Sequence, residues 1–416
     1  MQSAEPIARA LRRLAAAGCL LAAGRAAAVL FDATGAASHN TNAPSGALAN
    51  SGWQYQGRFG PYLGTAIAPH HFLTAYHVNT NASTTWVFVL DGTNYHPTAA
   101  SRIGESDLNL WRVAERLPRY APVYTGSGEA GAPLIVFGRG TQRGNPVVTD
   151  GLTNGWLWGA DTQILRWGSN QVAAIEHDSE GNPYLRATFD HGAGAEECHL
   201  SGGDSGGGAF VLAGGVWQLA GVHYTVDGPY YLSDDTNSAA HAAVYDRHGL
   251  YHWQGGNLVS YGDHDPGAFY SSRVSARYDW LTNAIPDFDS DADGMPDWWE
   301  KQHAGDIHGL AATNDPDHDG FDNLAEWTAQ TDPTNAASFF RIAAMARTGT
   351  VATLTFEGRT NRQYRAWVRP PPLSATGAWN AVGASPFAGA GGPTSWLDTN
   401  AVATARFYRV TVALPP

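Results

Sequence analysis

Between about Gly52 and Ile285 the chain alternates short apolar runs with polar positions, broken at close intervals by Gly, Pro, Asn and Asp. Gly64–Ala68, Trp86–Leu90, Leu134–Phe137 and Trp217–Tyr224 carry this strand-like pattern. A period of two predicts strands, and many short strands with frequent turns predict an antiparallel barrel or sandwich. Helical periodicity is scarce; one candidate, around Ser275 to Asn283, closes the region and is stopped by Pro286. Beyond Asn335 the pattern returns in Val351–Phe356, Gln363–Val368 and Ala405–Val412, which predicts a small β-sandwich. The stretch from Asp287 to Asp332 differs from both: it is acidic and loop-like.

A length of 416 residues suggests two or three domains, and 43% hydrophobic residues with 15 tryptophans suffice for buried cores. The net charge of -13, with no basic run, argues against a nucleic-acid partner. Arg9, Arg12 and Arg13 precede the apolar run Leu14–Ala23, and Ala26-Ala27-Ala28 offers a cleavage site before Val29. This pattern predicts a secretory signal over 1–28. Arg12-Arg13 as a twin-arginine signal and Cys19 as a lipoprotein site are the variants of that reading. The apolar run is too short to span a bilayer, and no later segment is a membrane span. Of the two cysteines, Cys19 leaves with the signal, so Cys198 has no partner for a disulfide within the chain. The expectation is a secreted, cell-surface or periplasmic bacterial protein.

Candidate chemistry centres on Gly202-Gly203-Asp204-Ser205-Gly206-Gly207-Gly208. Glycines let backbone amides approach a ligand closely, and a serine among them could attack a carbonyl whose oxygen those amides receive. A plain glycine-rich turn between strands is the other reading. A base is offered by His77 in Leu73-Thr-Ala-Tyr-His-Val78, and a carboxylate by Asp107 in Ser106-Asp-Leu-Asn-Leu110. Asp91, in Leu-Asp-Gly-Thr, is the rival carboxylate but reads as a hairpin turn.

The order His77, Asp107, Ser205, with Thr-Ala-Xaa-His, Asp-Leu-Xaa-Leu and Gly-Asp-Ser-Gly-Gly, resembles the trypsin/chymotrypsin-like serine proteases. Gln218–Val222 and Ser272–Leu281 resemble that family's cleft strand and its closing strand and helix. The resemblance implies a mainly β fold of two six-stranded antiparallel β-barrels, here spanning 29–286. It implies Ser205 as nucleophile, His77 as base and Asp107 as orienting carboxylate, with the Gly203 and Ser205 amides as oxyanion hole. Protein or peptide substrates follow. Departures are the missing Ile-Val-Gly-Gly start, for which Val29 after signal cleavage is a poor match that leaves the activation mechanism open, and Ser201 where the family has cysteine. By the same resemblance His199 falls at the base of the specificity pocket, which argues against a trypsin-like preference. His223 matches a histidine with which glutamyl endopeptidases hold acidic side chains. Packed, hydrogen-bonded histidines are the alternative for both. Asp227–Asp265 reads as a surface insertion.

The acidic stretch, 287–335, holds two copies of one scheme. Asp289, Asp291, Asp293, Met295, Asp297 and Glu300 occupy loop positions one, three, five, seven, nine and twelve. Asp315, Asp317, Asp319, Phe321, Asn323 and Glu326 repeat them, with glycine at position six in both. Hard oxygen ligands at this spacing suit calcium, position seven contributing a backbone carbonyl. The pair resembles the calcium loop-helix repeats of dockerins and thrombospondin type 3 modules, and its expected role is to stiffen a connection between domains. The remaining segment, 336–416, carries no catalytic constellation; a cell surface, a glycan or a protein could be its ligand. The chain therefore reads as a secreted serine endopeptidase with a preference for acidic residues open to test. The alternative is a catalytically inactive, protease-like adhesion protein that binds through its C-terminal domain.

Overall fold

The computed structural model describes residues 29–81, 83–161, 163–371, 378–383, 386–401 and 406–415. The predicted signal over 1–28, with Cys19, lies outside the described residues. The chain divides into two compact units, Met1–Ala292 and Asp293–Pro416.

The first unit is built on two antiparallel sheets. One comprises β1 (Gln56–Phe59), β2 (Tyr62–Ala68), β3 (His71–Ala75), β4 (Phe88–Leu90), β5 (Thr93–Tyr95), β6 (Pro97–Arg102) and β7 (Leu108–Val113), in the order β5-β4-β1-β2-β3-β7-β6. The other comprises β8 (Pro133–Gly138), β9 (Arg166–Gln171), β10 (Ala174–His177), β11 (Pro183–Thr188), β12 (Gly208–Ala213), β13 (Val216–Val226) and β14 (Ala268–Arg273), ordered β9-β8-β12-β13-β14-β11-β10. The architecture is mainly β, two antiparallel sheets of seven strands each where two six-stranded barrels were expected.

Successive strand residues point to opposite faces, and both faces of each sheet are covered. Thus Leu134 and Val136 of β8 enter one apolar cluster, while Ile135 and Phe137 enter another. That second cluster joins the two sheets, because Leu63, Leu73, Leu108 and Leu110 of the first meet Phe210, Leu219 and Val222 of the second. The far face of the first sheet is closed by Phe59, Phe72, Phe88 and Trp111. Double coverage explains why these strands read as nearly continuous apolar runs.

The predicted closing helix is a short turn, Ser275–Arg277, followed by α1 (Tyr278–Ala284). The insertion forms a small four-stranded sheet of Tyr230–Tyr231, Ala239–Ala240, Tyr251–Gln254 and Asn257–Ser260. Near the start of the described chain, Leu30 and Phe31 pair with His199 and Cys198.

The second unit begins with α2 (Asp297–Ala304) and α3 (Asn323–Ala329). A β-sandwich follows. One sheet holds Ile342–Thr348, Val351–Gly358 and Gly392–Asp398; the other is centred on Gln363–Arg369 paired with Phe407–Ala413. Leu354, Phe356, Tyr364 and Val410 form its core.

Candidate active site

Strand register assembles the first half of the site. Ala75 at the end of β3 faces Leu108 at the start of β7, so the residues just beyond each strand meet. The Tyr76 amide donates to the Asp107 carbonyl at 3.1 Å, and the turn Tyr76–Val78 carries His77 over the Asp107 carboxylate. The His77 amide donates to Asp107 Oδ1 at 2.9 Å, and Nδ1 lies 2.8 Å from Oδ2. A carboxylate can only accept, so Nδ1 carries the proton and Nε2 is left as an acceptor. Ser205 Oγ stands 2.9 Å from that Nε2. Asp107 is 8% exposed, whereas the His77 side chain is 41% exposed, so the carboxylate is shielded and the imidazole faces solvent.

The glycine loop is held against both sheets. The Gly206 amide donates to the His223 carbonyl, the Gly207 amide to the Asp204 carbonyl, and the Gly208 amide to Gln56 Oε1. Gly203 and Gly206 have φ of 98° and 80°, in the region that favours glycine. The amides of Gly203 and Ser205, with that of Gly202, donate to no acceptor among the described residues. A developing oxyanion is a fitting acceptor for such donors.

Asp204 lies beneath the loop, 1% exposed. It accepts from the amides of Gly140 (2.5 Å), Ser201 (2.8 Å) and Val29 (3.4 Å), and from the Ser201 hydroxyl (3.0 Å). Burial lifts its pKa to about 6 against these hydrogen bonds. Ser201 thus has a role that the motif alone did not reveal. Asp91 sits in the β4–β5 turn, paired with Arg119 at 3.0 Å, and takes no part in this group.

His199 and His223 are each 1% exposed. Both rings stand edge-on to Phe269, and Nδ1 bonds the Leu200 carbonyl in one and the Ser271 hydroxyl in the other. Burial lowers their pKa values to about 4 and about 3, so both are neutral at pH 7. Sequence reading also missed Tyr224, whose ring centroid lies 6.0 Å from that of His77.

In the acidic tandem, one carboxylate oxygen from each of Asp289, Asp291 and Asp293 lies within 4.8 Å of the others, and the same holds for Asp315, Asp317 and Asp319. The second loop divides its oxygens in two. Asp315 Oδ2, Asp317 Oδ1 and Asp319 Oδ1 accept from the amides of Gly320, Asp319 and Phe321. Their other oxygens are buried without hydrogen-bond partners among the described residues, as are Asn323 Oδ1 and both oxygens of Glu326. Burial pushes Glu326 up to about 7, and the charges of Asp317, Asp319 and Asp332 add to the rise. A set of unpaired, converging hard oxygens fits a calcium-sized cation. Gly294 and Gly320, at position six, have φ of 99° and 96°.

No protein-family model matches the chain, and no curated protein does. Among solved structures, the passenger domain of the plasmid-encoded toxin, an autotransporter enterotoxin of enteroaggregative Escherichia coli, aligns at 14% identity with a TM-score of 0.34. That alignment covers 58% of this chain and 22% of the passenger domain, so this chain spans about a fifth of its length. The Rv3671c protease of M. tuberculosis H37Rv in its inactive form aligns at 12% identity, covering 59% of this chain and 98% of that one, with a TM-score of 0.33.

Proposed function

We propose that the protein is an exported serine endopeptidase. The observation that carries the reading is the double contact of His77, with Asp107 at 2.8 Å on one nitrogen and Ser205 at 2.9 Å on the other. In this reading Ser205 Oγ attacks the peptide carbonyl while Nε2 of His77 takes its proton. The oxyanion lodges on the amides of Gly203 and Ser205, each such donor being worth roughly 3 kcal/mol of barrier. The imidazolium, steadied by Asp107, then protonates the leaving amine. Water enters by the same route in reverse and releases the acyl group from Ser205.

Three further parts belong to the proposal. Removal of residues 1–28 frees the Val29 amine beside Asp204, replacing a neutral donor with a cation. Asp315, Asp317, Asp319, Asn323 and Glu326, with the Phe321 carbonyl, hold structural calcium, and the Asp289–Glu300 loop holds a second. The C-terminal sandwich is an accessory module. The burial and neutrality of His199 and His223 give no support to a charge-based preference for acidic side chains.

Hydrolysis of a casein or mixed-peptide substrate by the chain starting at Val29 is the test. Wild-type protein cleaves it, and Ser205→Ala, equally folded by thermal melt, does not. Equal cleavage by both proteins overturns the reading.

A further inference from the structure

His77 is the exposed member of its group, and two hydrogen bonds alone do not hold an imidazole still. Nδ1 and Nε2 define a line about which the ring can rock, and each bond is remade whenever the proton moves. A third contact is needed on the ring's flank, and the structure supplies one.

Regular alternation along β13 sends His223 into the core, where its Nδ1 meets Ser271. The pairing with β14 then slips: His223 faces Ser271 and Thr225 faces Tyr270, so Tyr224 is an extra residue on one strand only. Such a bulge redirects a side chain. Here the half-buried Tyr224 ring stands 6.0 Å from the His77 ring at an interplanar angle of 61°, an edge-to-face arrangement.

Tyr224 is itself braced. Its other neighbour is Tyr184 of β11, stacked at 5.2 Å and 21°. Tyr184 is 5% exposed, and its hydroxyl donates to Asp178 Oδ2 at 3.0 Å. Asp178 in turn accepts from the amides of Glu180 and Asn182 at 3.0 and 2.8 Å, and from Asn182 Nδ2 at 2.9 Å. A rigid turn thus fixes one tyrosine, that tyrosine backs the second, and the second abuts the imidazole. The Tyr224 hydroxyl makes no hydrogen bond among the described residues, so the ring face and edge are what the site uses. Burial, with the Asp107, Asp178 and Glu180 charges, raises its pKa to about 12, which keeps it an uncharged wall.

We propose that Tyr224, backed by Tyr184, is a positioning residue that holds the His77 imidazole between Asp107 and Ser205. The inference rests on the endopeptidase reading above. It differs from a substrate-binding role for the same ring, which would act on KM, and from a packing role, which would act on stability alone.

The experiment compares Tyr224→Phe, Tyr224→Leu and Tyr224→Ala with the wild type, thermal melts accompanying each. Phe retains kcat and KM within about twofold. Leu and Ala lower kcat about three- to tenfold, the worth of an aromatic pair, with KM within about twofold. The rate at which a small fluorophosphonate labels Ser205 falls by the same factor, since that probe has no peptide side chains to contact a wall. In the proton NMR spectrum, the downfield Nδ1–H signal of His77 exchanges faster with solvent in Leu and Ala than in Phe. Leu keeps apolar bulk, so it carries the test if Ala fails to fold. A rise in KM with kcat and labelling unchanged overturns the proposal, as does Phe behaving like Ala, or Leu and Ala leaving kcat and the His77 signal untouched. If wild-type Ser205 takes no label, the endopeptidase reading fails by itself, and the Nδ1–H signal still decides the positioning role.

Discussion

The Val29 amide lies 3.4 Å from Asp204 Oδ1, a contact bridging 175 positions of the chain. Pairing of Leu30 with His199 and of Phe31 with Cys198 brings the segment there, and both Val29 and Asp204 are shut away from solvent. Among the described residues the hydrogen-bond donors to Asp204 are neutral, and burial wins, its pKa rising from 3.8 to about 6. An ammonium at Val29 reverses that balance.

Under the proposed cleavage before Val29, the dependence of stability on pH changes. A raised acid pKa means the folded chain binds the proton more tightly, so its contribution is full below pH 3.8 and is lost as pH climbs to about 6. With residues preceding Val29 retained, stability falls over that window by about 3 kcal/mol. In the chain starting at Val29 the fall disappears, and peptide cleavage is at least tenfold faster. Urea unfolding of both forms across pH 4 to 7, with matched activity assays, measures this. Asp204→Asn in the processed chain abolishes the difference.

Gly207 makes a sharper structural prediction. A Cβ at this position meets the Phe137 carbonyl and, at 3.0 Å, Cδ2 of His223. A backbone carbonyl in a central strand cannot yield, so Gly207→Ala displaces the loop that carries Ser205. A loss of 1–3 kcal/mol in stability is expected from such overpacking, roughly. Cleavage falls far more than stability does, and chemical denaturation beside kinetics separates the two.

Calcium addition raises the thermal midpoint of the C-terminal unit, and chelation lowers it. At a hundredfold excess over Kd the gain is about 3 kcal/mol. Glu326→Gln and Asp317→Asn each remove most of the calcium response, because each deletes the charge of a carboxylate with oxygen buried and unpartnered among the described residues, both oxygens in Glu326 and Oδ2 in Asp317. Differential scanning calorimetry with and without chelator reads it directly.

His199 and His223 predict a second pH effect of opposite sign. Both are held neutral by burial, their pKa values lowered from 6.5 to about 4 and about 3. Their contribution is intact above pH 6.5 and is lost as pH falls below it. His223→Gln shifts the acid-unfolding midpoint downward. Since neither ring is a cation at pH 7, a cleavage profile from a proteome digest gathers no excess of Glu or Asp before the cut bond.

Much of this was legible beforehand because it is local. Leu134–Phe137 is a visible apolar run of strand length, and the stretches around His77, Asp107 and Ser205 each sit next to a readable strand. The acidic loops repeat at fixed spacing. What was not legible depends on pairing partners far along the chain. The slip that turns Tyr224 toward His77 exists only against Ser271 and Tyr270. The depth of His199 and His223 is set by Phe269 on another strand. The seventh strand of each sheet leaves no pattern in its own neighbourhood, and the small residues before Val29 mark that position without naming Asp204 as its partner.

The most direct measurement is mass spectrometry of the chain starting at Val29 after exposure to a fluorophosphonate. Only a serine whose proton is being drawn off reacts fast enough to be labelled. The account predicts one adduct, on Ser205, lost in His77→Ala and strongly slowed in Asp107→Asn. A folded chain left unlabelled, or one labelled equally well without the imidazole, contradicts it.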